Sequence, residues 1–316
     1  MSIGKVSTGG TIDASTQGAF AHGNAEISGD IMAANMGSHA HGLALASGQI
    51  NAASEGSECA GNSSGGEISV AITGYGSKAF GQAEDAGSVI SANGPGSIAH
   101  GRATTSSQIS ADGQGADSSG FVDSGGVISS LDSGAKASGW ATGAGSVVRA
   151  ENIGSTAHGA ATGGGLLRST GVGSLAFGNP DSTGLLIASG NGAVANGVSA
   201  GAGSEIRSQS AGSEASGTAD IGGIISSDAN GSKAHGTAQD VGSSITAGGH
   251  GSTASGSATT AGTLLSPGIG SKAHGFVQSG SITATGDGSN AHGTTSTSGL
   301  LNASGPGACV HGAASG

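Results

Sequence analysis

A degenerate six-residue motif, Gly-[Ser/Ala]-x-Ala-x-Gly, returns along this chain every 19 or 20 residues, and once after 18. That period limits the fold more than any other feature. Its first glycine stands at 18, 37, 56, 76, 96, 115, 134, 154, 173, 192, 212, 231, 251, 270, 288 and 307. Counting back six residues from each glycine gives an aliphatic side chain every time. These are Ile12, Ile31, Ile50, Val70, Ile90, Ile109, Ile128, Val148, Leu167, Leu186, Ile206, Ile225, Ile245, Leu264, Ile282 and Leu301. Two residues further on stands Ala or Ser, with Ile72 the one exception. Gly/Ser-rich linkers have no reason to hold apolar residues in phase. A unit that cannot bury its own face but stacks on copies of itself does.

The period is filled by strands rather than helices. Glycine costs about 1 kcal/mol against alanine inside a helix, and each repeat carries several. Residues 281–295 show the alternative. Ile282 and Ala284 alternate with Thr283 and Thr285, Gly286-Asp287-Gly288 turns the chain, and Ser289 and Ala291 alternate with Asn290 and His292. Alternation of period two marks strands with one buried face, and glycine suits the corners because it accepts positive φ. The expectation is an all-β fold, a parallel β-solenoid of about 16 coils of 19–20 residues with two short strands per coil. Residues 1–316 form a single repeat domain. The sixteen aliphatic residues form a ladder against the small Ser/Ala row. At about 4.8 Å per coil the stack would extend about 75 Å. Length changes are expected in the corner after the second motif glycine, where loops tolerate them.

Lys78, Lys136, Lys233, Lys272, Glu58 and Glu214 occupy the first x of the motif, which must face water. The second x shares that parity and holds His22, His41, His100, His158, His235, His274, His292 and His311, eight of the ten histidines. This row is expected outside, as a surface or assembly row. Ser, Phe and Asn replace His in other copies and no carboxylate recurs beside it, so no metal site is assigned. No nucleophile–base pair sits in a predicted cleft, so no catalytic residue, cofactor or enzyme activity is assigned. Cys59 and Cys309 are too few for a disulfide framework or a cysteine-rich zinc site. They are expected to be small core residues or links between subunits.

Composition closes off other classes. With 67 Gly but four Pro and no three-residue period, the chain is not collagen-like. A net charge of −11 with 9 scattered Lys and Arg gives no footprint for nucleic acid. No run of 18 apolar residues exists to insert into a membrane as a helix. The first residues lack the apolar segment of a classical signal peptide.

Stacked Gly-Ser-x-Ala-x-Gly coils resemble the β-roll head repeats of trimeric autotransporter adhesins and similar repeats of phage and viral fibre proteins. The resemblance implies a rigid, extended β-structure, on a cell surface or outside the cell, and carries no catalytic residue with it. The coils here are longer than in that family, and no heptad stalk or membrane anchor occurs in the sequence. The repeat begins within the first ten residues and runs to His311-Gly-Ala-Ala-Ser-Gly316 with no capping segment. The expected role is a non-enzymatic subunit of a filament, with the chain as its own partner, stacked head to tail. The alternatives are an ice-binding solenoid and a surface adhesin or fibre tip. Residues such as Asp13, Met32, Arg149 and Ile187 interrupt any uniform Thr-x-Thr face of the kind ice binding would use.

Overall fold

The computed structural model describes residues 1–7, 11–27, 30–46 and 49–316. The described residues are strands, turns and bends, without helix. No helix is long and apolar enough to cross a membrane. The chain divides into two units, Met1–Gly159 and Ala160–Gly316. Each is a parallel β-solenoid built from alternating long and short strands, typically of seven and four residues, as in Lys136–Thr142 and Val147–Ala150.

Long strands pair with long strands of the neighbouring coils and short with short, always parallel. In the first unit the long sheet runs coil by coil from Ser2–Ser7 to Lys136–Thr142. The short sheet runs from Thr11–Ala14 to Val147–Ala150. The second unit repeats the arrangement from Leu175–Asp181 to Cys309–Ser315 and from Leu166–Ser169 to Leu300–Ala303. Because the repeats are in register, each side chain meets its equivalent one coil away, as Ile109 meets Ile128. The backbone ladder continues round the corners. Gly115 N–H donates to the Pro95 carbonyl at 2.9 Å, and Gly134 N–H to the Gln114 carbonyl at 2.9 Å.

The core is one layer of aliphatic side chains pressed on glycine. Ile31, Ile50, Ile90, Ile109, Ile128, Leu167, Leu186, Ile206, Ile225, Ile245 and Leu264 are among the largest fully buried side chains. Val148 and Ile282 are equally buried, Leu301 is 8% exposed, and Ile12 is half-buried. Burying such a side chain contributes about 1.5–3 kcal/mol. The ladder packs on the inner face of the long-strand sheet. Its δ-carbon points at the second motif glycine: a Cβ on Gly120 would lie 2.9 Å from Ile128 Cδ1, and one on Gly178 2.9 Å from Leu186 Cδ1. Buried alanines flank that glycine two residues to either side, as Ala137 and Ala141 flank Gly139. Large against none, with small on both sides, sets the thickness of the coil.

One ladder position differs from the count along the sequence. Ile68, not Val70, registers with Ile50 and Ile90 and is fully buried. Val70 occupies the small-residue slot, opposite Ala52 and Ala92. The corner between Val70 and Gly76 holds two extra residues, so a fixed six-residue offset lands one inward position too late. Ile72, the apparent exception to the Ala/Ser rule, belongs to that corner and is 71% exposed. Length changes therefore occur in both corners, not in one.

The motif serine locks the corner that precedes it. Ser232 Oγ accepts from the Ala229 N–H at 3.2 Å and lies 2.6 Å from the Ala229 carbonyl, to which it donates. Ser174 and Ser213 do the same three residues back. Where the short strand ends in serine, that hydroxyl pairs with the motif serine five residues on: Ser169 with Ser174 at 2.6 Å, Ser208 with Ser213 at 2.6 Å, and Ser266 with Ser271 at 2.7 Å. Ser130 has Ala135 in that place, and its partner is Ser118 at 2.7 Å, a serine in an alanine slot. A buried hydroxyl without a partner is expensive. Ser118→Ala should therefore cost about 1–3 kcal/mol. Adding Ser130→Ala should recover most of it, since neighbouring coils carry Ala99 and Ala111 at the same two positions. Urea midpoints of the single and double variants measure this, and a double variant no better than Ser118→Ala refutes it.

Candidate functional site

The outward face of the long-strand sheet carries the chemistry-bearing side chains. On a strand such as Lys272–Gln278, positions two and six are buried and the odd positions face solvent. His22, His41, His100, His158, His274 and His311 are exposed, and His235 and His292 half-buried. The row is broken by other residues except where His22 meets His41 and where His274, His292 and His311 follow one another. In that run the His274 and His292 rings stack with centroids 5.0 Å apart, and the His311 ring lies tilted, 4.4 Å from that of His292. His292, in the middle, titrates below the usual imidazole range, through loss of hydration and then the like charges its two neighbours would carry. His292 thus binds a proton less readily in the stack than in the unfolded chain, and acid works against the stacked arrangement.

Where serine precedes histidine in the row, the hydroxyl reaches the next coil's imidazole. Ser138 Oγ lies 2.7 Å from His158 Nδ1, Ser216 Oγ 2.5 Å from His235 Nδ1, and Ser255 Oγ 2.7 Å from His274 Nδ1. These pairs tie coil to coil on an open face. The two histidines outside the row are His39, whose ring lies 5.6 Å from Phe20, and His250 in a corner before Gly251. Among the described residues no three His, Cys, Asp or Glu side chains converge to hold a metal ion.

Charges obey the same column logic. Lys78 reaches Glu58 at 3.3 Å, Lys233 reaches Glu214 at 3.4 Å, and Arg102 reaches Glu84 at 2.8 Å, each one coil away. Such exposed pairs contribute about 0–1 kcal/mol each. Further along the strand, Thr104 and Thr162 donate to Asp123 and Asp181, both at 2.8 Å. Those hydroxyls hold the two carboxyls below the usual range.

The cysteines separate. Cys59 is buried in an alanine slot, in register with Ala40 and Ala79. Its S–H donates to the Asn51 carbonyl, and burial pushes the thiol far above its ordinary range. A link to another subunit through Cys59 is therefore ruled out by burial: the thiolate needed for disulfide exchange is neither accessible nor stable there. Cys309 is exposed and opens the strand Cys309–Ser315.

Set against family models, curated proteins and solved structures, the chain matches none.

Proposed function

We propose that the chain is a structural, non-enzymatic subunit that assembles with copies of itself into a fibre, coil upon coil. The observation that carries this reading is the coil-to-coil interface, which repeats with the same parallel register through each unit. Any outermost coil of such a stack presents unpaired N–H and C=O groups. An equivalent coil of a second copy offers the complementary edge at the same register and the same glycine-backed aliphatic layer. Joined this way, the contact is heterologous and does not close, so it propagates. The partner is the chain itself. The resemblance of the repeat to adhesin head repeats and fibre proteins favours a surface or extracellular setting.

Negative-stain electron microscopy of the purified protein tests the reading. Unbranched fibres of constant width, many chain lengths long and growing with protein concentration, are expected. Particles that never exceed one chain in length at any concentration overturn it.

A further inference from the structure

Trp140 is the chain's one tryptophan, and it stands 59% exposed on the long-strand sheet of the first unit. Beside it, in register one coil earlier, stands Phe121. The chain has seven aromatic residues among Trp, Tyr and Phe, and two of them are neighbours here, turned outward. Ring surface left in water at this density adds little to folding and marks a contact site.

The two strands present matching outward side chains. Asp117–Asp123 shows Asp117, Ser119 and Phe121; Lys136–Thr142 shows Lys136, Ser138 and Trp140. Registration sets Asp117 beside Lys136, Ser119 beside Ser138, and Phe121 beside Trp140. Each strand thus reads charge, hydroxyl, ring across the sheet. Ser119 and Ser138 occupy the column that histidine fills in eight other coils. Without imidazoles there, an open trough of about 400 Å³ remains, floored by Gly101, Gly120 and Gly139 and ended by His100 and His158. The Arg102 guanidinium, paired with Glu84 at 2.8 Å, lies over the Phe121 ring at 5.8 Å from its centroid and holds that ring in place.

We propose that this trough binds a linear, neutral, β-1,4-linked saccharide lying along the direction of coil stacking. Two rings favour flat apolar faces and the serines, Ser119 and the His158-bonded Ser138, favour hydroxyl edges, which is the chemistry of a pyranose. Charge points the same way. Asp117 and Lys136 stand in register beside the trough, outside its lining, with Asp117 Oδ1 3.9 Å from His100 Nδ1, and their opposite charges give a charged ligand no net attraction. Spacing sets the linkage. Adjacent strands lie about 4.8 Å apart, close to the advance of one ring in an extended β-1,4 chain, so successive sugars meet successive coils. From His100 to His158 the trough crosses four strands, about 14 Å, or roughly three sugar rings.

The site does not depend on fibre formation, and its test needs only the folded chain. Emission from Trp140, the sole tryptophan, reports on the trough directly. Full-length protein is titrated with cellohexaose and chitohexaose, with maltohexaose, whose α-1,4 chain coils, as the comparator. A saturable emission change with at least one β-1,4 hexamer, half-complete at about 0.1–1 mM, and none with maltohexaose, is expected. The variant Ser119→His/Ser138→His restores the residue of eight other coils and refills the trough while leaving Trp140 in place. It should bind at least about tenfold more weakly. No response to either β-1,4 hexamer, or an equal response in the double variant, overturns the proposal. So does an emission shift on raising protein concentration without sugar, which would make the trough a contact between copies.

Discussion

Gly120→Ala should destabilise the first unit by about 3–6 kcal/mol, far more than a methyl group usually does. Two effects add. The backbone at Gly120 has φ 143°, a conformation essentially reserved for glycine. The added Cβ would also fall on the Gly139 carbonyl of the next coil and 2.9 Å from Ile128 Cδ1. Neither can retreat, because the carbonyl belongs to the inter-coil ladder and the isoleucine fills the core. Gly115, five residues earlier in the same motif copy, supplies the control. Its φ is 62°, and a Cβ there meets nothing within 4 Å. Gly115→Ala should cost only the left-handed backbone penalty, about 1–2 kcal/mol. Urea unfolding of both variants decides the matter. Equal losses would mean that glycine is kept for its corners alone and that the aliphatic layer does not rest on it.

That distinction between two glycines shows where the sequence was legible. Period, strand parity and the ladder are repeated sixteen times, so each is an average over many copies and survives local noise. The outward histidines follow from the charges that share their parity. What a glycine does is not averaged in the same way: Gly115 and Gly120 carry one letter but opposite reasons, one an open corner and the other the space for Ile128. Cys59 was only half readable: the sequence left a core place and a link between subunits both open, and the register of Glu58-Cys59-Ala60-Gly61 with Lys78-Ala79-Phe80-Gly81 puts the thiol in an alanine slot. The Phe121–Trp140 platform was not, because it lies in a column that follows the motif, where residue type varies freely from coil to coil. Pairing of Ser118 with Ser130 joins residues twelve apart on facing strands and becomes visible only once the coil is closed.

Ile68→Asp should cost about 4 kcal/mol or more at neutral pH and unfold the coils around it, whereas Ile72→Asp should change stability by no more than about 0.5 kcal/mol. The pair tests the registered frame against the six-residue count. Counting back from Gly76 puts Val70 in the ladder and Ile72 in the inward small-residue slot. Registration puts Ile68 between Ile50 and Ile90, and leaves Ile72 in a corner, in water. An aspartate at 68 has no cation facing it in the aliphatic layer, so burial would raise its pKa and favour the protonated form. An acid whose folded pKa is raised loses stability as pH climbs past its unfolded value, about 3.9. Ile68→Asp should accordingly be closest to the parent near pH 4 and fall away toward pH 7, while Ile72→Asp follows the parent throughout. Thermal melts by circular dichroism across that range separate the frames. A severe loss at Ile72→Asp, or a parent-like melt for Ile68→Asp at pH 7, would return the ladder to the six-residue count and move the extra corner residues elsewhere in the coil.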